Sequence, residues 1–240
     1  MKIIVTENYE KMSEEGAKYI AALLKNKPDC ILGLATGSTP VGMYKCLAKM
    51  NKEGEITFKD VTSYNLDEYY PLAPDHDQSY RYFMNNNLFY HVDIDLSKTH
   101  VPDGLAEDPA KMGAEYDAEI EAVGGIDLQV LGLGPNGHIA FNEPEDELYA
   151  ATHLTGLTES TIKANSRFFA SEDDVPKQAV TMGIGSIMKA KQIIVLASGK
   201  GKHAVIKKML EGRITTQVPS TLLLAHPNVV LICDEEAYNG

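Results

Sequence analysis

Short apolar runs alternate with longer amphipathic stretches along the whole of this chain, and no other feature restricts its fold as much. Ile3–Val5, Cys30–Ala35, Val61–Leu66, Ile126–Leu133, Gln192–Ala197 and Val229–Cys233 read as strands. Between the first two, Tyr9–Lys25 carries Met12, Tyr19, Ile20, Leu23 and Leu24 at the spacing of one helix face. Pro40–Met50, Ser79–Leu88, Pro109–Val123 and Lys202–Leu210 read as further helices. Strands separated by helices form βαβ units, so the expectation is an α/β fold around a mostly parallel sheet. With 240 residues the chain fits one such domain or two small ones. It shows no repeat, low-complexity tract or Pro/Gly linker, and is read as a single domain over 1–240.

One stretch breaks the pattern. Ala151–Gln178 is polar and rich in Ser and Thr, with few periodic apolar positions. A loop of that length inside a compact domain is either a surface excursion or a lid over a binding site. In open parallel sheets ligands sit beyond the carboxyl ends of the strands, so the residues that follow each strand carry the most information.

Four segments stand out there. Gly33-Leu34-Ala35-Thr36-Gly37-Ser38-Thr39-Pro40 runs from a strand into a helix. Gly37 permits a tight turn, Ser38 and Thr39 offer hydroxyls at the cap, and Pro40 suits the first helical position. Free N–H groups and the positive dipole end then favour an anion such as phosphate, although a capped helix without ligand gives the same pattern. Asn65-Leu66-Asp67-Glu68-Tyr69 places two acids at a strand end, where a carboxylate in a dry site can serve as general base. Adjacent side chains on extended backbone point opposite ways, so one of Asp67 and Glu68 faces the site. Gly132-Leu133-Gly134-Pro135-Asn136-Gly137-His138-Ile139-Ala140-Phe141-Asn142-Glu143-Pro144 packs a histidine, two amides and a carboxylate around a glycine-rich turn. Histidine titrates near neutrality and shuttles protons once a neighbour, Glu143 or Asn136, fixes its ring. Last, Arg167 within the weak stretch and Lys202 after a strand are cations placed to bind phosphate.

Other chemistries lack their signatures. The seven histidines show no HxH or HExxH spacing, so no metal site is expected, and there is no GxSxG elbow for a serine hydrolase. The three cysteines form no CxxC pair and leave an odd number, as reduced thiols packed in the core of a cytoplasmic protein would. No secretory leader or apolar run of membrane-spanning length is present. With 22 Lys+Arg against 34 Asp+Glu, the net charge of −12 argues against nucleic acid and anionic membrane as partners. From the residues alone, the chain reads as a proton-transfer enzyme for a small phosphorylated metabolite.

The identity of that metabolite comes from resemblance. Leu34-Ala35-Thr36-Gly37-Ser38-Thr39-Pro40, Asn65-Leu66-Asp67-Glu68-Tyr69, Gly137-His138-Ile139-Ala140-Phe141-Asn142-Glu143-Pro144, Ala164-Asn165-Ser166-Arg167-Phe168-Phe169 and Ala197-Ser198-Gly199 with Lys202 resemble, in order, the motifs of the glucosamine-6-phosphate deaminase family. The resemblance implies a Rossmann-like sheet with helices on both faces and a lid at about residues 155–180. It implies conversion of glucosamine 6-phosphate and water to fructose 6-phosphate and ammonia, without cofactor. Asp67 would move the C2 proton to C1, and His138 would open the sugar ring with help from Glu143 and Asn136. Gly37, Ser38, Thr39, Arg167 and Lys202 would hold the phosphate.

Two departures from the family pattern carry expectations of their own. Many members have aspartate where this chain has Asn136, and an amide can orient a histidine but cannot carry negative charge. Longer members form hexamers activated by N-acetylglucosamine 6-phosphate; an end at Gly240 implies an unregulated enzyme, a monomer in preference to a homo-oligomer. Of two rivals, 6-phosphogluconolactonase has Thr-Ala-Ser after Gly-His, where this chain has Ile139-Ala140-Phe141. A sugar-phosphate sensor would carry a helix-turn-helix segment ahead of Ile3-Ile4-Val5.

Overall fold

The computed structural model describes residues 1–166, 169, 171 and 174–240. Seven strands form a parallel sheet: β1 (Lys2–Thr6), β2 (Ile31–Leu34), β3 (Thr62–Asn65), β5 (Thr99–His100), β6 (Leu128–Gly132), β9 (Gln192–Ala197) and β10 (Val229–Asp234). Their spatial order is β1-β10-β9-β6-β2-β3-β5. The missing numbers belong to a second, antiparallel sheet of β4 (Asp67–Tyr70), β7 (His153–Gly156) and β8 (Gln178–Thr181), in the order β4-β8-β7.

Helices α1 (Tyr9–Asn26), α2 (Val41–Lys52) and α3 (Tyr80–Asn87) follow strands whose connections step towards β5. Helices α4 (Pro109–Ala122), α6 (Ile184–Met188) and α7 (His203–Leu210) belong to connections that step the other way. Right-handed crossovers therefore put the two groups on opposite faces of the sheet. Helices α1 and α4 start where a side chain replaces missing backbone partners: Asn8 accepts from Lys11 N (2.9 Å) for α1, and Asp108 accepts from Ala110 N and Lys111 N, with Pro109 next, for α4. In α1, Met12, Ala17, Ile20, Ala21 and Leu24 are buried, which makes its 3.6-residue stripe the core face.

Covering the sheet on both faces explains why its central strands are continuous apolar runs without alternation. Every residue from Ile193 to Ala197 has 0% exposure. Each such branched side chain contributes about 1.5–3 kcal/mol on burial, so β9 and its neighbour β10 are a main source of stability. Cys30 and Cys233 pack in this core, where burial pushes their thiols up to about 12 and about 11. At the amino-terminal strand ends Asp127 is clasped by Lys27 and Lys191, both at 2.7 Å, and accepts from Ile31 N at 2.8 Å, tying β2, β6 and β9 together away from the cavity.

The weak stretch is not loop throughout. It contains β7 and a short helix α5 (Glu159–Asn165) and leads into β8. Asn65–Tyr69 likewise does not end the third strand: β3 stops at Asn65, and after Leu66 the chain joins the second sheet as β4. A last helix, α8 (Glu235–Asn239), follows β10. Among the described residues no helix is long and apolar enough to cross a membrane.

Candidate active site

Strands β2 and β6 are neighbours, but the chain leaves them in opposite directions, and a crevice opens between their carboxyl ends. It holds a cavity of about 230 Å³. The cavity is lined by the loop after β2 (Gly37, Ser38, Thr39), by Asp67, by Asn136 and His138 from the turn after β6, and by Lys202. Of the expected site residues, Glu143 stands behind His138 at 4% exposure, and Arg167 lies outside the described residues.

The pleat separates the two acids of β4. Asp67 and Tyr69 share one face, and Asp67 opens on the cavity at 6% exposure beside Tyr80 and Phe141. Burial in that wall, with the charge of Glu68 adding to it, pushes the Asp67 carboxyl up to about 8. Glu68 turns to the other face and receives three backbone N–H groups, from Tyr69 (2.9 Å), Tyr80 (2.8 Å) and Arg81 (2.9 Å). The last two open α3, whose next donor, Tyr82 N, is taken by Ser79 Oγ at 3.0 Å. Glu68 is thus a cap supplied by a neighbouring strand. Burial pushes its carboxyl up to about 7 even though these donors and Arg81 pull it down.

The turn after β6 exists because of its glycines. A Cβ on Gly134 would lie 2.4 Å from the His138 ring, so only glycine lets the imidazole fold back over the loop. Gly137 sits at φ +89°, a conformation costly for other residues. Ala140, at φ +53°, is held there although it is not glycine. Asn142 enforces that geometry: its Nδ2 donates to Ile139 O (3.0 Å) and to Met182 O (2.9 Å).

Behind the ring, His138 Nδ1 lies 3.1 Å from Glu143 Oε1, off the direction of a hydrogen bond. Asn136 Nδ2 donates to Glu143 Oε2 (2.6 Å), and its Oδ1 accepts from the backbone N–H of His138 (3.2 Å). Asn136 therefore acts on the carboxylate and the turn, and touches His138 through its backbone. Thr161 Oγ1 donates a hydrogen bond to Glu143 Oε1. Burial pushes the Glu143 carboxyl up, but the contact with His138 and the bonds from Thr161 and Asn136 outweigh it and hold the group below the usual carboxylate range.

The loop after β2 departs from expectation. Pro40 is the N-cap of α2, not its first helical residue, and the cap position makes no side-chain hydrogen bond. Tyr9 of α1 takes that role, because its hydroxyl accepts from Gly42 N (2.8 Å) and donates to Ser38 O (3.1 Å). Ser38 is exposed and Thr39 half-buried on the cavity wall, at the start of α2.

Sequence reasoning missed Thr161, Tyr80 and Thr181. Thr181 pairs with Asp67 across β8 and β4, and its Oγ1 accepts from Phe141 N at 3.0 Å. Met182 N donates to Leu66 O (2.7 Å). The second sheet thereby fixes the Asp67 strand to the His138 turn. The Thr-x-x-Thr spacing of Thr158 and Thr161, an N-cap followed by the first helical turn, was the available signal.

A profile of the family described as glucosamine-6-phosphate isomerases/6-phosphogluconolactonase matches residues 6–232. A protein of Clostridium perfringens named glucosamine-6-phosphate deaminase is 60% identical over 237 residues, covering 99% of this chain and 98% of its own. One of the same name from Thermoanaerobacter pseudethanolicus is 54% identical, covering 99% and 94%. The solved structure of a monomeric glucosamine-6-phosphate deaminase superposes with a TM-score of 0.96 at 41% identity, covering 99% and 98%. The 6-phosphogluconolactonase of Trypanosoma cruzi shares the fold, with a TM-score of 0.78 at 22% identity and 98% and 95% coverage. By sequence over nearly its whole length, this chain belongs to the glucosamine-6-phosphate isomerase/6-phosphogluconolactonase family.

Proposed function

We propose that this protein is an isomerising deaminase that converts glucosamine 6-phosphate and water to fructose 6-phosphate and ammonia. The observation that carries the reading is the pairing, in one cavity, of a buried carboxylate with raised pKa and a histidine backed by an ionised glutamate. His138 assists opening of the pyranose by moving a proton between the anomeric hydroxyl and the ring oxygen. Glu143 supports it by balancing the charge of the imidazolium, and Asn136 keeps Glu143 ionised by donating to it. In the opened sugar the C2 proton lies next to the C1 carbonyl. Asp67 takes that proton, giving an enolamine, and returns it to C1 while a proton passes from the ammonium to the C1 oxygen, leaving a hydroxyl at C1 and a carbon–nitrogen double bond at C2. Water adds at C2 and ammonia departs, giving the ketose.

A base with its pKa near 8 is a far stronger acceptor than an ordinary carboxylate. The ammonium that the amino sugar brings into the cavity favours the ionised form of that base on binding. Gly37, Ser38 and Thr39 at the start of α2, with Arg167 and Lys202, hold the phosphate, and the reaction needs no cofactor. We propose one domain over 1–240 acting as a monomer in the cytoplasm; a monomeric structural neighbour, covered over 98% of its chain, supports the monomeric state.

The test is release of ammonia from glucosamine 6-phosphate with fructose 6-phosphate measured in parallel, on a sample whose sedimentation gives its mass in solution. Equal yields of both products are expected. A folded sample that releases neither, yet hydrolyses 6-phosphogluconolactone, would overturn the deaminase reading.

A further inference from the structure

Thr161 lies on the first turn of α5, within the segment that resemblance to the family marks as a lid, and is 5% exposed against the cavity. Its hydroxyl donates to Glu143 Oε1, the same oxygen that faces His138 Nδ1 at 3.1 Å. The hydroxyl is itself oriented, because Thr158 Oγ1 donates to Thr161 Oγ1 (3.0 Å) while accepting from Thr161 N (3.3 Å). The N-cap of α5 and the Glu143 carboxylate thus belong to one hydrogen-bonded chain, Thr158 to Thr161 to Glu143. Asn136 fixes the other oxygen of that carboxylate from the β6 turn. One oxygen of Glu143 is therefore set by the sheet and the other by a helix beyond it.

We propose that Thr161 is a positioning residue for the His138–Glu143 pair: its hydroxyl holds the carboxylate in the orientation that faces the imidazole, so the pair is complete only while α5 is seated. The proposal rests on the deaminase reading for its consequence in catalysis, though not for its geometry. A hydroxyl is suited to the task, since it donates to a carboxylate without adding charge and leaves the oxygen able to face the histidine. Around Glu143 the facing groups are His138 and Asn136 from the β6 turn and Thr161 from α5; Asp67 and Lys202 are the other charged groups lining the cavity among the described residues.

Thr161→Val keeps the shape and removes the donor, and Thr161→Ser keeps the donor. The carboxyl carbon of Glu143, followed by NMR across pH, reads the environment of that group directly and needs no turnover. In Thr161→Val its midpoint is expected to rise by about half a unit or more, because an ionised carboxylate loses a hydrogen bond, and Thr161→Ser restores it. The acid limb of kcat for ammonia release is expected to move up in step, with KM changed less than about twofold. An unmoved carboxyl midpoint in Thr161→Val overturns the proposal, and so does a shift that Thr161→Ser fails to reverse, which would mark a packing effect. A wild-type protein that releases no ammonia would remove the deaminase reading and leave the carboxyl titration to decide the role of Thr161.

Discussion

Asp67 and Glu68 share a peptide bond, and the strand pleat gives them separate work. Asp67 lies in the cavity wall, its carboxyl pushed up to about 8 by burial and then by the charge of Glu68. Two consequences follow for Asp67→Asn. As the proposed base is lost, exchange of the C2 proton with solvent should fall by at least about a hundredfold while KM changes little. Full exchange in the variant would move the base elsewhere. Stability should change in the opposite sense. Below about pH 4 the carboxyl is neutral in both states. As pH rises the unfolded chain ionises first, near its ordinary value of 3.8, while the folded chain keeps the proton to about 8, so the native state loses ground across that window. Asparagine does not titrate. The melting temperature of Asp67→Asn relative to wild type should therefore increase from pH 4 to pH 8, by the equivalent of about 5 kcal/mol. A gap that stays constant with pH would show that Asp67 is solvated.

The elements that make the site differ in how far the sequence discloses them. The parallel sheet was legible because strands covered on both faces are uninterrupted apolar runs, as Ile193–Ala197 is. The candidate site positions follow those runs, and Gly37, Asp67, Asn136, His138 and Lys202 do meet at one cavity. The second sheet was not. Its strands have four residues each, β7 reads His-Leu-Thr-Gly with no alternation, and its partners are brought together from segments far apart in sequence. Thr161 was hidden for the same reason, since its importance arises from a contact 18 residues back in the chain, to Glu143. The Glu68 cap of α3 belongs to this class too, and it predicts a contrast with Asp67. Glu68→Ala strips acceptors from Tyr80 N and Arg81 N in a buried setting, which should cost about 2–4 kcal/mol in denaturant unfolding. Exchange of the C2 proton should survive in the protein that remains folded. A variant as stable as wild type but inactive would reverse the assignments of the two acids.

Across the whole molecule, a net charge of −12 opposes the capture of anions, and the proposed substrate carries a phosphate dianion. The conflict is resolved by range. Surface charges more than about 8–10 Å from a bound anion are screened at physiological ionic strength, whereas groups at the cavity act at contact. The amino end of α2 contributes N–H groups and a dipole, and Lys202 adds a full positive charge from the turn after β9. That turn is tied to the neighbouring strand β10. Asp234, at the end of β10, accepts from Gly199 N (3.0 Å) and from Ser198 Oγ while also capping α8 through Ala237 N (2.8 Å). Gly199 takes φ +85° to reach it. The turn that carries Lys202 to the cavity is thus tied to both β9 and β10. A charge-assisted hydrogen bond of this kind is worth about 1.5–3 kcal/mol, so Lys202→Ala should raise KM for glucosamine 6-phosphate at least about tenfold with a smaller effect on kcat. For free glucosamine, which lacks the phosphate, the same variant should leave kcat/KM nearly unchanged. Equal losses on both sugars would place Lys202 outside the phosphate subsite and leave the amino end of α2 to bind the dianion with Arg167.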